Sequence, residues 1–255
     1  MMKRRKHDQL QFSLLSRATK KSARKQTGAA RSAKVIRLSP TSGLNLFLEC
    51  PRCFWLHYNE QLRRPQGPFP SLPGGMDLVI KTYYDRYRGS LPPELVGKVR
   101  GVLVPDRRLV EQWRNWRTGL EYRDQRRHAV LFGALDDCLV ENGHYLPLDY
   151  KTRGSPPRPG DSERYYQMQL DTYALLLSEN GYPAGGEAFL VYYFPTAVSE
   201  DGAAKFSVQP IRLATDPDRA RLAFEKAVET LRGKMPLQHT GCLYCSWSER
   251  LAAFD

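Results

Sequence analysis

Three residues in "FGALDDCLVENGHYLPLDYKTRG" (132–154) could do chemistry together: Asp136, Asp149 and Lys151. Between the two acids lies Asn142-Gly143, the dipeptide that most strongly signals a two-residue type I′ hairpin. A loop closed there pairs Glu141 with His144 and sets Asp136 directly opposite Asp149. Directly opposed residues have Cβ atoms about 4.5–5.5 Å apart. Side chains alternate along a strand, so Lys151 shares the face of Asp149 and Asp137 points to the other. Two carboxylates that close repel, and a core rejects them unpaired. A divalent cation removes the conflict. Oxygen ligands suit Mg²⁺ or Mn²⁺, and the backbone carbonyl of Tyr150 lies between the side chains as a further ligand. Lys151 could then orient or help deprotonate an attacking water, or steady developing negative charge. That chemistry is metal-assisted phosphodiester hydrolysis. The plainer alternative is an exposed Asp149–Lys151 salt bridge, with Asp136 and Asp137 flanking a turn.

Four of the five cysteines form two C-x-x-C pairs, Cys50/Cys53 and Cys242/Cys245, near the two ends of the chain. Without a secretion signal, such pairs suggest metal ligation more than disulfides. Four thiolates can hold a tetrahedral zinc or a [4Fe–4S] cluster, and the spacing alone slightly favours zinc. Either would staple the first ordered segment to the last. Cys138 shares the strand face of Asp136 and reads as a small apolar core residue. A thioredoxin-like redox role is disfavoured, because neither pair sits between a strand and a helix in the required way.

These residues need elements to hold them. A helix is expected to start near Pro40 to Ser42, capped by Ser39 or Thr41, with Leu44, Phe47, Leu48, Phe54 and Trp55 on its apolar face. Residues 63–75 read as a Pro/Gly loop and 76–88 as an amphipathic helix. Residues 107–127 give no clear pattern. "HAVLFGALDDCLV", "HYLPLDYKT", "AFLVYYFP" and "KFSVQPIRL" read as strands. Helices are expected over 163–181, ending at Gly181, and 215–233, with Leu222, Phe224, Val228 and Leu231 as its buried stripe. The order suggests one α/β domain, residues 35–255, on a mixed sheet.

The formal charge of +12 is unevenly placed. Residues 1–37 carry twelve Lys and Arg against one acid, Asp8; the rest is nearly balanced. Residues 1–34 therefore read as a disordered basic tail attracted to polyanions, nucleic acid among them. A mitochondrial transit peptide is the lesser alternative, and no apolar run is long enough to span a membrane. The expected location is cytoplasmic.

G-x-x-D (Gly133 to Asp136), an apolar strand and D-Y-K-T (Asp149 to Thr152) together resemble the PD-(D/E)XK nuclease superfamily. Q-x-x-x-Y (Gln169, Tyr173) in the next helix resembles the extra motif of its RecB-type nucleases. "CPRCFWLHY" and "GCLYCSW" are similar to segments of its iron–sulfur members, including CRISPR-associated RecB-like nucleases and AddB-type helicase-nuclease subunits. The likeness covers about residues 38–248. It implies a restriction-endonuclease-like core, metal binding by Asp136 and Asp149, and Lys151 as the catalytic lysine. Gln169 and Tyr173 would lie beside the site, and the four cysteines would hold a [4Fe–4S] cluster. It also implies a DNA nuclease of repair, recombination or defence, working with a helicase or similar subunit. Two features depart from the family. The early helix lacks the metal-binding His, with Asp77 or Asp85 as candidate substitutes. The cysteines divide two and two, where relatives show one early and three late. A nuclease fold that binds DNA or protein without cleaving is the alternative function.

Overall fold

The structure, a computed structural model, describes residues 35–67, 71–252 and 254. The predicted basic tail, 1–34, lies outside them, as do residues 68–70 of the predicted loop. The described residues begin with β1 (Ile36–Leu38), a π-helical turn (Pro40–Asn45), α1 (Leu46–Glu49), α2 (Pro51–Asn59) and α3 (Ser71–Tyr84). Next come β2 (Val102–Leu103), α4 (Arg107–Arg114), β3 (Leu120–Asp124), β4 (Ala129–Gly133), β5 (Asp137–Glu141) and β6 (His144–Thr152). The chain continues through α5 (Asp161–Glu179), β7 (Glu187–Val198), β8 (Ala204–Ala214), α6 (Pro217–Arg232) and α7 (Leu243–Ala252).

Five strands form a mixed sheet in the order β2-β5-β6-β7-β8, with β6 and β7 parallel and the other pairs antiparallel. The parallel pair is joined by α5, as a crossover connection requires. A second, three-stranded sheet has the order β1-β4-β3. Alternation divides the core. Cys138, Leu190 and Tyr192 pack with α5 and α6 on one face, while Leu139, Leu148, Tyr150 and Val191 pack with Ile80 and Tyr84 of α3 on the other.

The β5–β6 hairpin forms as expected. Asn142 and Gly143 both have positive φ, 49° and 78°, the backbone a type I′ turn needs. Glu141 pairs with His144, and the ladder ends at Asp137 opposite Leu148. Asp136 lies one residue beyond, at a bend, where the next opposed position is Asp149.

Several expectations needed correction. The first helix is broken at Cys50, which is extended (φ −162°, ψ 104°) because Pro51 follows it. Ser39 makes no capping bond; its hydroxyl meets that of Ser42 at 2.7 Å. Helix α3 starts at Ser71 with Pro73 in its first turn, and Asp85–Tyr87 continue as a 3₁₀ turn. The single strand expected over 128–140 is two strands in different sheets, parted at residues 134–136. Leu222 is exposed; Ala220, Ala223 and Ala227 join Phe224, Val228 and Leu231 in the buried stripe of α6.

Candidate active site and thiol centre

The hairpin brings Asp136, Asp149 and Lys151 together at one strand end. The Asp136 and Asp149 carboxylates lie within hydrogen-bonding reach of each other. Asp149 is 1% exposed, and burial pushes its pKa up to about 7, with the Asp136 charge adding to the rise and Lys151 opposing it. Lys151 Nζ is 2.5 Å from Asp149 Oδ2 and 4.6 Å from the centre of the Tyr166 ring. That ammonium is the ion-pair partner of Oδ2, and no other donor reaches this oxygen among the described residues. The pKa of Lys151 is raised: burial works against its charge, but the Asp149 carboxylate outweighs it. Lys151 is thus a cation here, suited to stabilising negative charge more than to taking a proton.

Helix α5 supplies the next layer. Gln169 and Tyr173 stand four residues apart on its buried face. Gln169 Nε2 donates to Asp149 Oδ1 (3.0 Å) and to the Tyr173 hydroxyl (2.7 Å), while its Oε1 accepts from Lys151 Nζ (3.3 Å). One amide thus fixes both the acid and the lysine. Gly133 lets α5 come this close: a Cβ there would meet Leu176 Cδ1 at 2.8 Å and Tyr173 Cε1 at 3.3 Å.

Tyr150 points its side chain the other way, as alternation demands. Its hydroxyl donates to Asp137 Oδ2 at 2.6 Å, so any contribution to the acid site comes from its backbone. Asp137 also takes Arg88 and Arg114, the latter at 2.9 Å, and the Cys138 amide at 2.8 Å. Arg114 Nε donates in turn to the backbone oxygen of Asp136 at 2.7 Å, which sets where that acid stands. Asp85 belongs to this network through Arg114 and does not substitute for the absent His. Asp77 reaches the acids indirectly: Lys81 Nζ lies 2.8 Å from Asp77 Oδ2 and 2.8 Å from Asp136 Oδ1. Lys81 and the two arginines were not singled out from sequence. The one available signal for Lys81 was its place four residues after Asp77 on one helix.

The four cysteines of the two pairs are buried and meet. Their sulfurs all lie within 4.8 Å of one another. Cys53 Sγ is 3.6 Å from both Cys242 and Cys245, and Cys50 Sγ is 3.8 Å from Cys245. The Cys53 amide donates to Cys50 Sγ at 3.5 Å, and Arg64 Nη2 to Cys242 Sγ at 3.7 Å. Burial opposes ionisation of Cys50, yet backbone amides draw its pKa down to about 6, whereas burial and neighbouring thiols push Cys245 up. Sulfurs about 2.3 Å from one tetrahedral ion stand roughly 3.8 Å apart. The donor set and its spacing therefore fit a bound metal. Cys138 lies apart, buried in the main core as expected.

A sequence model of the PD-(D/E)XK nuclease superfamily matches residues 37–250. The chain belongs to that superfamily. The mixed sheet with flanking helices is its restriction-endonuclease-like core, and no curated protein matches the chain significantly. Nucleases of this superfamily commonly use divalent metals, and the two acids at the hairpin's open end are groups that could hold one. Asp149 Oδ2, met by Lys151 alone, and the carboxylate of Asp136 suit such an ion.

Proposed function

We propose that this chain is a Mg²⁺- or Mn²⁺-dependent nuclease that hydrolyses phosphodiester bonds in DNA. We place it with the RecB-type, cysteine-cluster branch of the superfamily, acting in repair, recombination or defence beside a helicase or similar subunit. The observation that carries the reading is Asp149: a buried carboxylate whose Oδ2 is met only by the Lys151 ammonium and which faces a second carboxylate. A divalent ion held by Asp136, Asp149 and the Tyr150 carbonyl would draw a phosphate oxygen and lower the pKa of a bound water. Lys151, kept protonated and beside Asp149, stabilises charge on the phosphoryl oxygens. Gln169 holds Asp149 and Lys151 in register, and Tyr173 holds Gln169. The thiol separations favour a single zinc at the cysteine centre, whereas the resemblance favours [4Fe–4S]. In a four-iron cube each thiolate binds its own iron, so the sulfurs stand farther apart. Metal analysis with an ultraviolet–visible spectrum decides between them.

The test is degradation of single- and double-stranded DNA by the full chain with Mn²⁺ or Mg²⁺, wild type against Lys151→Ala. Metal-dependent cleavage that the variant loses supports the reading; cleavage surviving at the wild-type rate contradicts the mechanism. One observation favours a fold that binds without cleaving: Lys81 already neutralises Asp136 where an ion would sit. DNA binding with no cleavage under any divalent ion would establish that second reading.

A further inference from the structure

A groove of about 780 Å³ opens beside the thiol centre. One wall is α2 with the segment after it, and the other is α7; Cys53 and Cys245 line it from either side. Its apolar surface is unusually bare. Leu62 is 61% exposed, Leu243 78% and Trp247 60%. Around these stand Arg52, Arg63, Arg64 and Arg250, against one lining acid, Glu249.

Arg64 is already engaged. It pairs with Glu49 at 2.5 Å, donates to Cys242 Sγ and lies over the Tyr244 ring at 4.7 Å from its centre. Arg52 stands 3.9 Å from Glu249, a loose contact, and Arg63 has no ion-pair partner among the described residues. The groove thus offers three weakly neutralised guanidinium groups around an exposed indole. An apolar protein helix laid there would bury those cations unpaired, at a cost. A nucleic-acid strand meets both demands, since its phosphates pair with arginine and every base has a face to stack.

We propose that this groove binds a single-stranded nucleic-acid segment, with phosphates on Arg52, Arg63 and Arg250 and a base stacked on Trp247. The proposal rests on the nuclease reading above and adds a substrate-holding site outside the acid cluster. Each of α2 and α7 carries one of the cysteines, Cys53 and Cys245, with a second, Cys50 or Cys242, just before it, so a metal held at the thiol centre would set the distance between the groove walls.

The test is fluorescence anisotropy of a labelled oligothymidylate of about 12 nucleotides, a length in the range of single-strand sites. It uses the full chain with its thiol centre loaded and no Mg²⁺ or Mn²⁺ added. Trp247→Ala is expected to weaken binding at least about fivefold, and Trp247→Phe to restore most of it. Arg63→Glu is expected to weaken binding and flatten the dependence of log affinity on log salt by about 0.7 for the lost phosphate contact. The basic first 37 residues contribute equally to every variant. Equal metal content in wild type and variants confirms an intact thiol centre; should Trp247→Ala fail that check, Trp247→Phe against Arg63→Glu still decides. Unchanged affinity in Trp247→Ala and Arg63→Glu overturns the proposal and leaves the groove a protein-docking face, with the nuclease reading intact. Lost affinity in these variants, beside a Lys151→Ala protein that still cleaves, upholds the groove and overturns the nuclease mechanism.

Discussion

On the α3 side of the sheet, Asp137 is met by Arg88, Arg114, the Tyr150 hydroxyl and the Cys138 amide. On the α5 side, Asp149 is as deeply buried but has only the Gln169 amide and the Lys151 ammonium as partners, and it faces the like charge of Asp136. Asp136 and Asp137 are consecutive in the chain: Asp137 opens β5, and Asp136 sits at the bend just before it, on the side of Asp149. An acid that holds a fold is surrounded by donors, because a buried charge is tolerable once it is fully paired. Asp149 has fewer donors, which under the proposed function leaves room for an ion to supply the remaining interaction. The two sides are linked: Arg114 serves Asp137 and also grips the Asp136 backbone, so the network around Asp137 helps fix where Asp136 stands.

The comparison breaks most visibly at Asp137. Asp137→Ala leaves Arg88 and Arg114 buried without their main partner, and is expected to cost about 3–5 kcal/mol of stability. A thermal or denaturant unfolding midpoint close to wild type would show that the network is not structural. The next largest effect belongs to Lys151→Ala. It is expected to slow cleavage about 10²–10³-fold with little change in unfolding, as for loss of one group that stabilises transition-state charge.

A subtler contrast lies in pH. The folded pKa of Asp149, about 7, lies above the roughly 3.9 of an unfolded aspartate. The folded chain therefore holds an extra proton between those values, and ionising Asp149 erodes stability as pH rises from about 4 to about 7. Above that range the loss is constant. Without added divalent ion, Asp149→Asn is expected to be more stable than wild type at pH 8, with the advantage gone by about pH 4. Unfolding curves at both pH values check this. Lys81→Met should have the smallest effect. Removing an ammonium beside Asp136 is expected to raise Mn²⁺ affinity roughly tenfold, well under the ~4 kcal/mol between unit charges 4 Å apart near a protein surface. Unchanged affinity would mean that Lys81 swings clear when an ion binds.

What the sequence disclosed was local. Asn142-Gly143 announces its own turn, and from that turn the alternation of Asp136, Asp149, Lys151 and Cys138 follows without further information. The helix pair Gln169 and Tyr173 is local in the same sense. The bend at Asp136 depends on Arg114, 22 residues earlier, and was hidden inside what reads as one apolar strand. Lys81 was hidden too, since nothing on its helix says which acid it will meet across the strand end. The break at Cys50 was legible in principle, because a residue before proline avoids the helical region, but the apolar spacing on either side masks it.

The most direct test is a calorimetric titration of Mn²⁺ into the full chain with its thiol centre already loaded, wild type beside Asp149→Asn. Saturable binding in wild type that disappears in the variant is expected if Asp136 and Asp149 share one ion. Equal affinity in both proteins would place the ion elsewhere and contradict the two-carboxylate site.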